Sequence, residues 1–395
     1  MYSNMTEIVY FTNTYISILA DSYLRRPKLL RTMSGGSSPV TGVTVLHDKI
    51  FLVRRDTPNL VEVFESTTFK NEDALHVSEL ESPRDLTSSI ATSNFPGFLY
   101  IADYVENSEF TSLNFGRVHR VELAWLKSNV NENELHEEVA TEMTALADDS
   151  TKSRALSIDE LQNTELAREV VITVKNTTVF EVSGIPIGLS VATASGGRHN
   201  LIVTCRVNDS HVIQLFELDR AQLTPSREVV VEDLPDPFHA VLSGSRFIIG
   251  RGWRSNASHG VDIVKESSQI DESGRQKSFV VKSYSPTDEY FFRRFVRDAV
   301  RPLKRPQHFA ADRDGYIVVA DHGNDRVLLF SPSLGYVRDL VSKWDVGRRP
   351  FRPSRLCLDQ INGRLYVANE IDNSVIVFLV KNIKVGRSTD ESTSV

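Results

Sequence analysis

The sequence predicts an all-β fold, a six-bladed β-propeller of four-stranded antiparallel blades that is closed by an N-terminal strand joining the last blade. Three observations predict it. Six units along the chain open with a proline, continue into an apolar strand that ends 13 to 19 residues later, and then contain a strand with the pattern apolar-x-x-apolar. Short strands in units of about 45 residues are typical of a propeller, in which each unit is one blade.

The best-defined unit runs from residue 305 to residue 340 and reads RPQHFAADRDGYIVVADHGNDRVLLFSPSLGYVRDL. The dipeptides Asp-Gly and Gly-Asn within it are turn signals. These turns separate three predicted strands, one directly after Pro306 and then Tyr316–Ala320 and Val327–Phe330, and a fourth strand follows at Tyr336–Leu340.

The other five units repeat this pattern at uneven spacing. The steps from one opening proline to the next are 44, 103, 51, 69 and 47 residues, so two junctions carry insertions. The opening prolines are Pro39, Pro83, Pro186, Pro237, Pro306 and Pro353.

The two ends of the repeat region complement each other. The last unit has three predicted strands, while Lys28–Met33 precedes Pro39 as Tyr336–Leu340 precedes Pro353. Closing the ring removes the exposed end faces that an open stack of sheets would keep. We therefore predict that Lys28–Met33 is the outer strand of the last blade.

One propeller domain at residues 28–380 accounts for most of the chain, and we expect tails at 1–27 and 381–395. An acidic insertion at 123–169 lies in the longest step. From Asn131 to Glu169 it carries eleven carboxylates and three basic residues, which accounts for the net charge of −7. A solvated rim loop is the simplest expectation. The alternatives are a docking segment for a basic partner and an autoinhibitory strap across the protein's own basic face.

The composition is that of a globular protein, with 41% hydrophobic and 25% charged residues. No run of 18 apolar residues occurs, and no basic residue precedes the N-terminal apolar stretch. We therefore expect a cytoplasmic protein without a membrane span or secretory signal. Two cysteines, Cys205 and Cys357, are too few for a multi-cysteine zinc module and are predicted to be buried thiols.

At the best-defined unit the residues resemble a known family. The run GYIVVADHGNDRV at 315–327 resembles the NHL repeat, with its core G-x-[IV]-x-V-A-D-x-x-N-x-R-V. Segments at 187–191, 202–206 and 355–359 are similar to NHL-type proteins of invertebrates, and the resemblance covers about residues 28–380. It implies a binding propeller like that of tripartite-motif proteins, without their RING, B-box or coiled coil. Asp103 and Asp321 keep the Asp of the motif, and the other units have Arg55, Cys205, Arg251 and Asn369 there.

A basic patch is predicted on one face of the propeller. The loop before a blade's first strand and the loop between its second and third strands open on the same face, so the loops before the last two blades should merge. Arginines with interleaved aromatics suit single-stranded RNA. The alternative is that the phenylalanines pack on the blade and the arginines are solvated or paired with the acidic insertion. The candidate partner-binding residues are Arg293, Arg294, Arg297, Arg301, Lys304, Arg305, Arg348, Arg349, Arg352 and Arg355.

A second candidate site lies at the mouth of the central channel. The residue two positions after each opening proline begins an innermost strand and should face this mouth. His239 and His308 come from adjacent blades and, with Asp85, have the chemistry to share a metal, as in propeller lyases of the peptidyl-amidating type. A calcium site of the gluconolactonase type is a further alternative, and polar residues that hold water are the simplest one. The six positions are Thr41, Asp85, Gly188, His239, His308 and Arg355.

No catalytic motif is present. The sequence contains no Gly-rich phosphate loop, G-x-S-x-G or H-E-x-x-H motif, so no catalytic residue and no cofactor are predicted. Asp321 and His322 resemble half of a catalytic dyad, but we expect Asp321 to accept hydrogen bonds from amides of the following loop.

The sequence therefore predicts a non-enzymatic binding scaffold that is monomeric and presents loops of one face to a macromolecular partner. A protein is the more generic partner and single-stranded RNA the more specific one. Neither DNA nor a membrane is predicted to bind. A metal-dependent propeller enzyme using the channel, lactonase-like or lyase-like, is the alternative.

Overall fold

β-strands make up most of the described chain, and nearly all of them pair antiparallel. The computed structural model describes residues 23–33, 35–89, 97–105, 115–127, 170–193, 199–207, 210–218, 223–231, 237–243, 245–252, 259–270, 276–284, 302–347 and 350–382. Within these ranges no helix is long and apolar enough to cross a membrane.

The strands follow one another in six groups of four along the chain. Strand β1 (Tyr23–Met33) comes first and belongs to the last group. Blade 1 contains β2 (Val40–Leu46), β3 (Lys49–Arg54), β4 (Leu60–Glu65) and β5 (Asn71–His76). Blade 2 contains β6 (Pro83–Ser88), β7 (Phe98–Val105), β8 (Phe115–Lys127) and β9 (Val170–Val182). Blade 3 contains β10 (Ile185–Thr193), β11 (His199–Val207), β12 (Ser210–Leu218) and β13 (Leu223–Val231).

Blades 4 to 6 complete the set. Blade 4 contains β14 (Pro237–Ser243), β15 (Arg246–Arg251), β16 (Gly260–Ile270) and β17 (Gln276–Tyr284). Blade 5 contains β18 (Pro306–Ala311), β19 (Ile317–Asp321), β20 (Arg326–Phe330) and β21 (Tyr336–Ser342). Blade 6 contains β22 (Pro353–Asp359), β23 (Arg364–Asn369), β24 (Ser374–Lys381) and β1.

The first strands of the six blades form a closed ring. Each of β2, β6, β10, β14, β18 and β22 contacts the next, and β22 contacts β2. The predicted six-bladed β-propeller is therefore confirmed.

Apolar side chains fill the space between each pair of neighbouring blades. Six separate clusters of buried residues lie at the six junctions between adjacent blades. Between blades 5 and 6, for example, Leu329 and Val341 pack with Phe351 and Phe378. Each such side chain contributes about 1.5–3 kcal/mol when it is buried.

The predicted closure by the N-terminal strand is also confirmed. β1 pairs antiparallel with β24, from Tyr23 opposite Lys381 to Met33 opposite Val375. β1 begins at Tyr23, five residues before the predicted start at Lys28. The longer strand has a physical reason, because Tyr23 is buried and its hydroxyl donates to Asp312 Oδ2 at 2.9 Å.

Blade 2 extends into the segment predicted as an acidic insertion. Residues 123–127 continue β8 and pair with residues 170–174 of β9. The rest of that insertion lies outside the described residues, as do residues 1–22 and 383–395 of the predicted tails.

Blades 3 and 4 are joined by backbone hydrogen bonds. Their outer strands β13 and β17 pair in parallel, from Val229 opposite Gln276 to Val231 opposite Ser278. The two blades therefore form one eight-stranded sheet.

Candidate functional site at the channel mouth

A β-bulge recurs near the start of every inner strand. In blade 2, Pro83 pairs with Asp103 and Asp85 with Ala102, which leaves one extra residue between the two pairs. A bulge changes the direction of the side chain that follows it. The residues that follow the six bulges are Gly42, Asp85, Gly188, His239, His308 and Arg355.

This register corrects two assignments in blade 1. Val40 pairs there with Arg54, as Pro83 pairs with Asp103, so Pro39 lies one residue before the place that the other prolines take. The mouth position of blade 1 is therefore Gly42 and not Thr41. For the same reason Arg54, and not Arg55, takes the place of the motif Asp.

Asp85, His239 and His308 lie together, although they come from blades 2, 4 and 5. The Asp85 Oδ2 atom lies 3.5 Å from His308 Nε2 and 3.9 Å from His239 Nε2. The two imidazole rings face each other with centroids 4.0 Å apart. All three residues are buried, with 1%, 1% and 7% of their surfaces exposed. Among the described residues, this is the one group of three His, Cys, Asp or Glu side chains close enough to hold a metal ion.

The backbone orients each of these side chains. Leu189 N donates to Asp85 Oδ2 at 2.7 Å, and Leu189 O accepts a hydrogen bond from His239 Nε2 at 3.1 Å. Leu356 N donates to His308 Nδ1 at 3.3 Å. The remaining nitrogen of each ring, His239 Nδ1 and His308 Nε2, is buried without a hydrogen-bond partner.

The protonation states follow from burial and from neighbouring charges. Burial, and next the His308 side chain, lower the pKa of His239 well below its usual value. Burial also lowers the pKa of His308. Burial opposes ionisation of Asp85, but the interactions with His308 and Arg355 together lower the pKa of its carboxyl group. At neutral pH the cluster therefore contains one carboxylate and two neutral imidazoles.

Arg355 approaches the same carboxylate from its other oxygen. Its Nε atom lies 3.6 Å from Asp85 Oδ1 and donates to Thr41 O at 2.7 Å, and Nη2 donates to Arg84 O at 3.0 Å. The side chain is 14% exposed. Arg355 was expected both in the basic patch and at the channel mouth, and its guanidinium lies at the channel mouth.

Two glycines make room for this cluster. A Cβ atom on Gly188 would lie 2.7 Å from His239 Cδ2, and one on Gly42 would lie 2.4 Å from Leu86 N. Both distances are too short for real contacts. The absence of a side chain in blade 3 therefore leaves room for His239, and its absence in blade 1 lets β6 pass close to β2 at Asp85 and Leu86.

Apart from Arg355, the described residues of the predicted basic patch are exposed. Lys304, Arg305 and Arg352 are all solvent-exposed, whereas Phe351 is buried in the core with 1% of its surface exposed. The other candidate partner-binding residues lie outside the described residues, and these are Arg293, Arg294, Arg297, Arg301, Arg348 and Arg349.

Loops of blades 5 and 6 meet on this face. His322, after β19, is paired with Glu370, after β23. The hydrogen bond from His322, and then the charges of Arg352 and Arg305, lower the pKa of Glu370. His322 thus pairs with a carboxylate of the next blade and not with Asp321.

Asp321 has a structural role in blade 5. Its Oδ1 accepts from Lys304 N at 2.7 Å, and its Oδ2 accepts from Arg326 Nε at 2.7 Å and from Asn324 Nδ2 at 2.8 Å. The backbone amide belongs to the loop that precedes the blade, where we expected the loop that follows Asp321. This occurs because β19 ends beside the start of β18.

The sequence analysis missed one exposed aromatic residue on the loop between blades 5 and 6. Trp344 is 67% exposed, and the Lys343 ammonium lies 5.3 Å from its ring centroid. The signal was a Lys-Trp pair in a polar stretch between predicted strands.

The ring of six residues fits some ions better than others. Asp85 is the one carboxylate in this ring, so the ring does not supply the several oxygen ligands that Ca²⁺ needs. One carboxylate and two imidazoles instead suit a transition-metal ion.

No protein-family model matches the chain, and no curated protein is similar to it. The solved structures that are similar to the chain include two at 10–11% sequence identity. The PQQ-bound aldose sugar dehydrogenase from Streptomyces coelicolor matches with a TM-score of 0.49, over 90% of this chain and 98% of that one. An auxiliary nutrient binding protein from Bacteroides ovatus matches with a TM-score of 0.46, over 90% and 70%.

Proposed function

We propose that the protein is a non-enzymatic binding scaffold that presents the mouth-side loops of blades 5 and 6 to an acidic macromolecule. One observation carries the proposal. Arg305 and Arg352 lie on the loops before two neighbouring blades, and hydrogen bonds bring these loops together: Lys304 O accepts from Gly323 N at 2.8 Å, Arg352 O accepts from Glu370 N at 3.0 Å, and His322 pairs with Glu370. Both arginines are exposed, so their charges are available to a partner.

Further support comes from the same face. Lys304 is exposed beside Arg305, and Trp344 is exposed on the loop that also carries Arg352. Exposed aromatic and basic side chains are enriched where proteins bind macromolecules. The strands of both blades are committed to packing, so the loops are the parts that are free to bind.

The NHL-type character of the scaffold is part of this proposal. The motif residues Asp321, Asn324 and Arg326 bond to one another and to the loop before blade 5. These contacts support an interpretation in which the repeat motif holds the blade together and the loops vary with the partner. Protein and single-stranded RNA are the two classes of acidic partner to be compared.

A titration with two defined polyanions tests the proposal. Fluorescent oligouridylate and polyglutamate are each titrated with the full chain at two salt concentrations. We expect at least one to bind, with an affinity that falls steeply as salt rises. The variant R305E/R352E should weaken binding at least about tenfold, because two attractive charges become repulsive.

A matched charge reversal provides the control. Arg26 is exposed on the outer strand β1, and R26E should leave the affinity unchanged. Failure of both polyanions to bind at low salt, or equal losses in R26E and R305E/R352E, would refute the proposed binding face. Binding of oligouridylate without polyglutamate would assign RNA as the partner class.

A further inference from the structure

We propose that Asp85, His239 and His308 bind one divalent transition-metal ion of the Zn²⁺ class at the channel mouth. The ligands would be one carboxylate oxygen and one nitrogen from each imidazole. The site is independent of the polyanion-binding face proposed above.

The spacing of the three side chains suits such an ion. Zn²⁺ binds nitrogen and oxygen at about 2.0–2.1 Å in tetrahedral geometry, so neighbouring ligand atoms lie about 3.3 Å apart. Asp85 Oδ2 and His308 Nε2 are 3.5 Å apart, and one ligand atom from each of the three residues lies within 4.8 Å of the others. The distance from Asp85 to His308 is therefore already close to that around a bound ion, and the ligand atom of His239 must move closer to the other two for the site to close.

An unpaired nitrogen is the second argument. A buried polar atom without a hydrogen-bond partner is costly, and His239 Nδ1 is such an atom, while His308 Nε2 faces only the Asp85 carboxylate, 3.5 Å away. His239 Nε2 donates to Leu189 O, which leaves the lone pair of Nδ1 available. A histidine that binds a metal through one ring nitrogen usually donates a hydrogen bond from its other ring nitrogen, for example to a backbone carbonyl, and this fixes the orientation of the ring.

His308 needs one rearrangement. Leu356 N donates to its Nδ1, so the ring proton lies on Nε2 in the metal-free protein. Binding an ion through Nε2 requires this proton to move to Nδ1, and the 3.3 Å hydrogen bond from the Leu356 amide is then given up. The Leu356 amide and the His308 Nδ1–H are then two buried donors without an acceptor, so this rearrangement lowers the affinity of the site for the ion.

The ligand types select the kind of ion. The guanidinium of Arg355 lies on the Oδ1 side of Asp85, while both histidines lie on the Oδ2 side. The guanidinium repels any divalent cation, and a single carboxylate supplies too few oxygen ligands for Mg²⁺ or Ca²⁺. Two imidazoles favour Zn²⁺ or Co²⁺, and three protein ligands leave a tetrahedral ion one further position for water or a small ligand.

Calorimetric titration of the metal-stripped full chain with ZnCl₂ tests the site. We expect one Zn²⁺ per chain, and visible absorption bands of tetrahedral Co²⁺ when CoCl₂ replaces ZnCl₂. H239Q and H308Q should each weaken Zn²⁺ binding at least about tenfold. MgCl₂ and CaCl₂ should give no saturable binding.

His322 provides the matched control, since it is a buried histidine on the same face that pairs with Glu370. H322Q should bind Zn²⁺ as the wild type does. Circular dichroism checks that the variants are folded. If H239Q does not fold, the Zn²⁺ affinity of H308Q alone tests the proposal. The absence of stoichiometric Zn²⁺ binding, or binding that is unchanged in H308Q, overturns the proposal.

The two proposals can fail separately. R305E/R352E changes residues away from the cluster and should keep the full Zn²⁺ stoichiometry. H308Q should keep the affinity for the polyanion.

Discussion

Gly188 lies against His239, so closely that a single methyl group on the glycine would be 2.7 Å from His239 Cδ2. It would also lie 2.9 Å from the carbonyl oxygen of Phe238, which cannot move without shifting β14. The position of an imidazole in blade 4 thus depends on the lack of a side chain in blade 3.

Replacing Gly188 by alanine is expected to displace His239 and to destabilise the protein by about 1–3 kcal/mol, because inserted atoms in a packed site force shifts of the backbone. Urea denaturation measures the loss. G335A is the control, since its nearest neighbour is the side chain of Ser331 and the cost should stay below about 1 kcal/mol. Equal stability of G188A and G335A would show that the cluster tolerates the methyl group.

The ion pair between Lys381 and Asp312 fastens the end of β24 to blade 5. Lys381 Nζ donates to Asp312 Oδ2 at 2.6 Å, beside the hydroxyl of Tyr23. K381M should lower the free energy of unfolding by about 3 kcal/mol, because a buried carboxylate loses its countercharge. Urea denaturation of K381M, D312N and the double variant should give non-additive losses.

An exposed ion pair serves as the comparison for K381M. Lys175 donates to Glu122 at 2.7 Å with 61% of its side chain exposed, so K175M should cost less than about 1 kcal/mol. If K381M lowers the free energy of unfolding no more than K175M does, the attachment of β24 to blade 5 does not depend on the pair of Lys381 and Asp312.

Stability should fall at alkaline pH because of buried tyrosines. Burial raises the pKa of Tyr100 from 10.0 to about 12. Because the pKa of Tyr100 is raised in the folded state, its hydroxyl keeps its proton to a higher pH in the native state than in the unfolded state. The stabilisation is therefore complete below pH 10 and is lost between pH 10 and 12. Two pKa units correspond to about 3 kcal/mol. Melting temperatures of wild type and Y100F from pH 9 to 11.5 measure this, and curves that decline in parallel would exclude a contribution from Tyr100.

The motif position at the end of the second strand contains Asp321 in blade 5 and Asn369 in blade 6. Both accept a hydrogen bond from the loop before the blade, and their strand partners are Arg326 and Ser374 respectively. D321N should cost at least about 2 kcal/mol, because the charge of Arg326 loses its main countercharge. The double variant D321N/R326S copies blade 6 and should recover more than half of the loss in urea denaturation. If the double variant is less stable than D321N, an Asn and Ser pair cannot replace the Asp and Arg pair in blade 5.

The fold could be predicted because turns, opening prolines and apolar strands recur in every unit. Asp85 and the two histidines could be found by counting from the proline, since the bulge gives every inner strand the same register at that place. In blade 1 the same count gave the wrong residue, because Pro39 lies one residue before the position that the other prolines occupy. The strand pairing reveals this offset, and the sequence does not. The orientation of Arg355 depends on the carbonyl groups of Thr41 and Arg84 in two other blades, and Trp344 belongs to no repeated pattern.

The parallel pairing of β13 with β17 gives the junction between blades 3 and 4 a kind of contact that the other described junctions lack. Among the described residues, this junction between blades is the one crossed by a ladder of main-chain hydrogen bonds, while packing of apolar side chains holds the others. Blades 3 and 4 should therefore open cooperatively as a single unit of about twice the usual size, and amide exchange near Val230 should be slower than at the outer edge of blade 1.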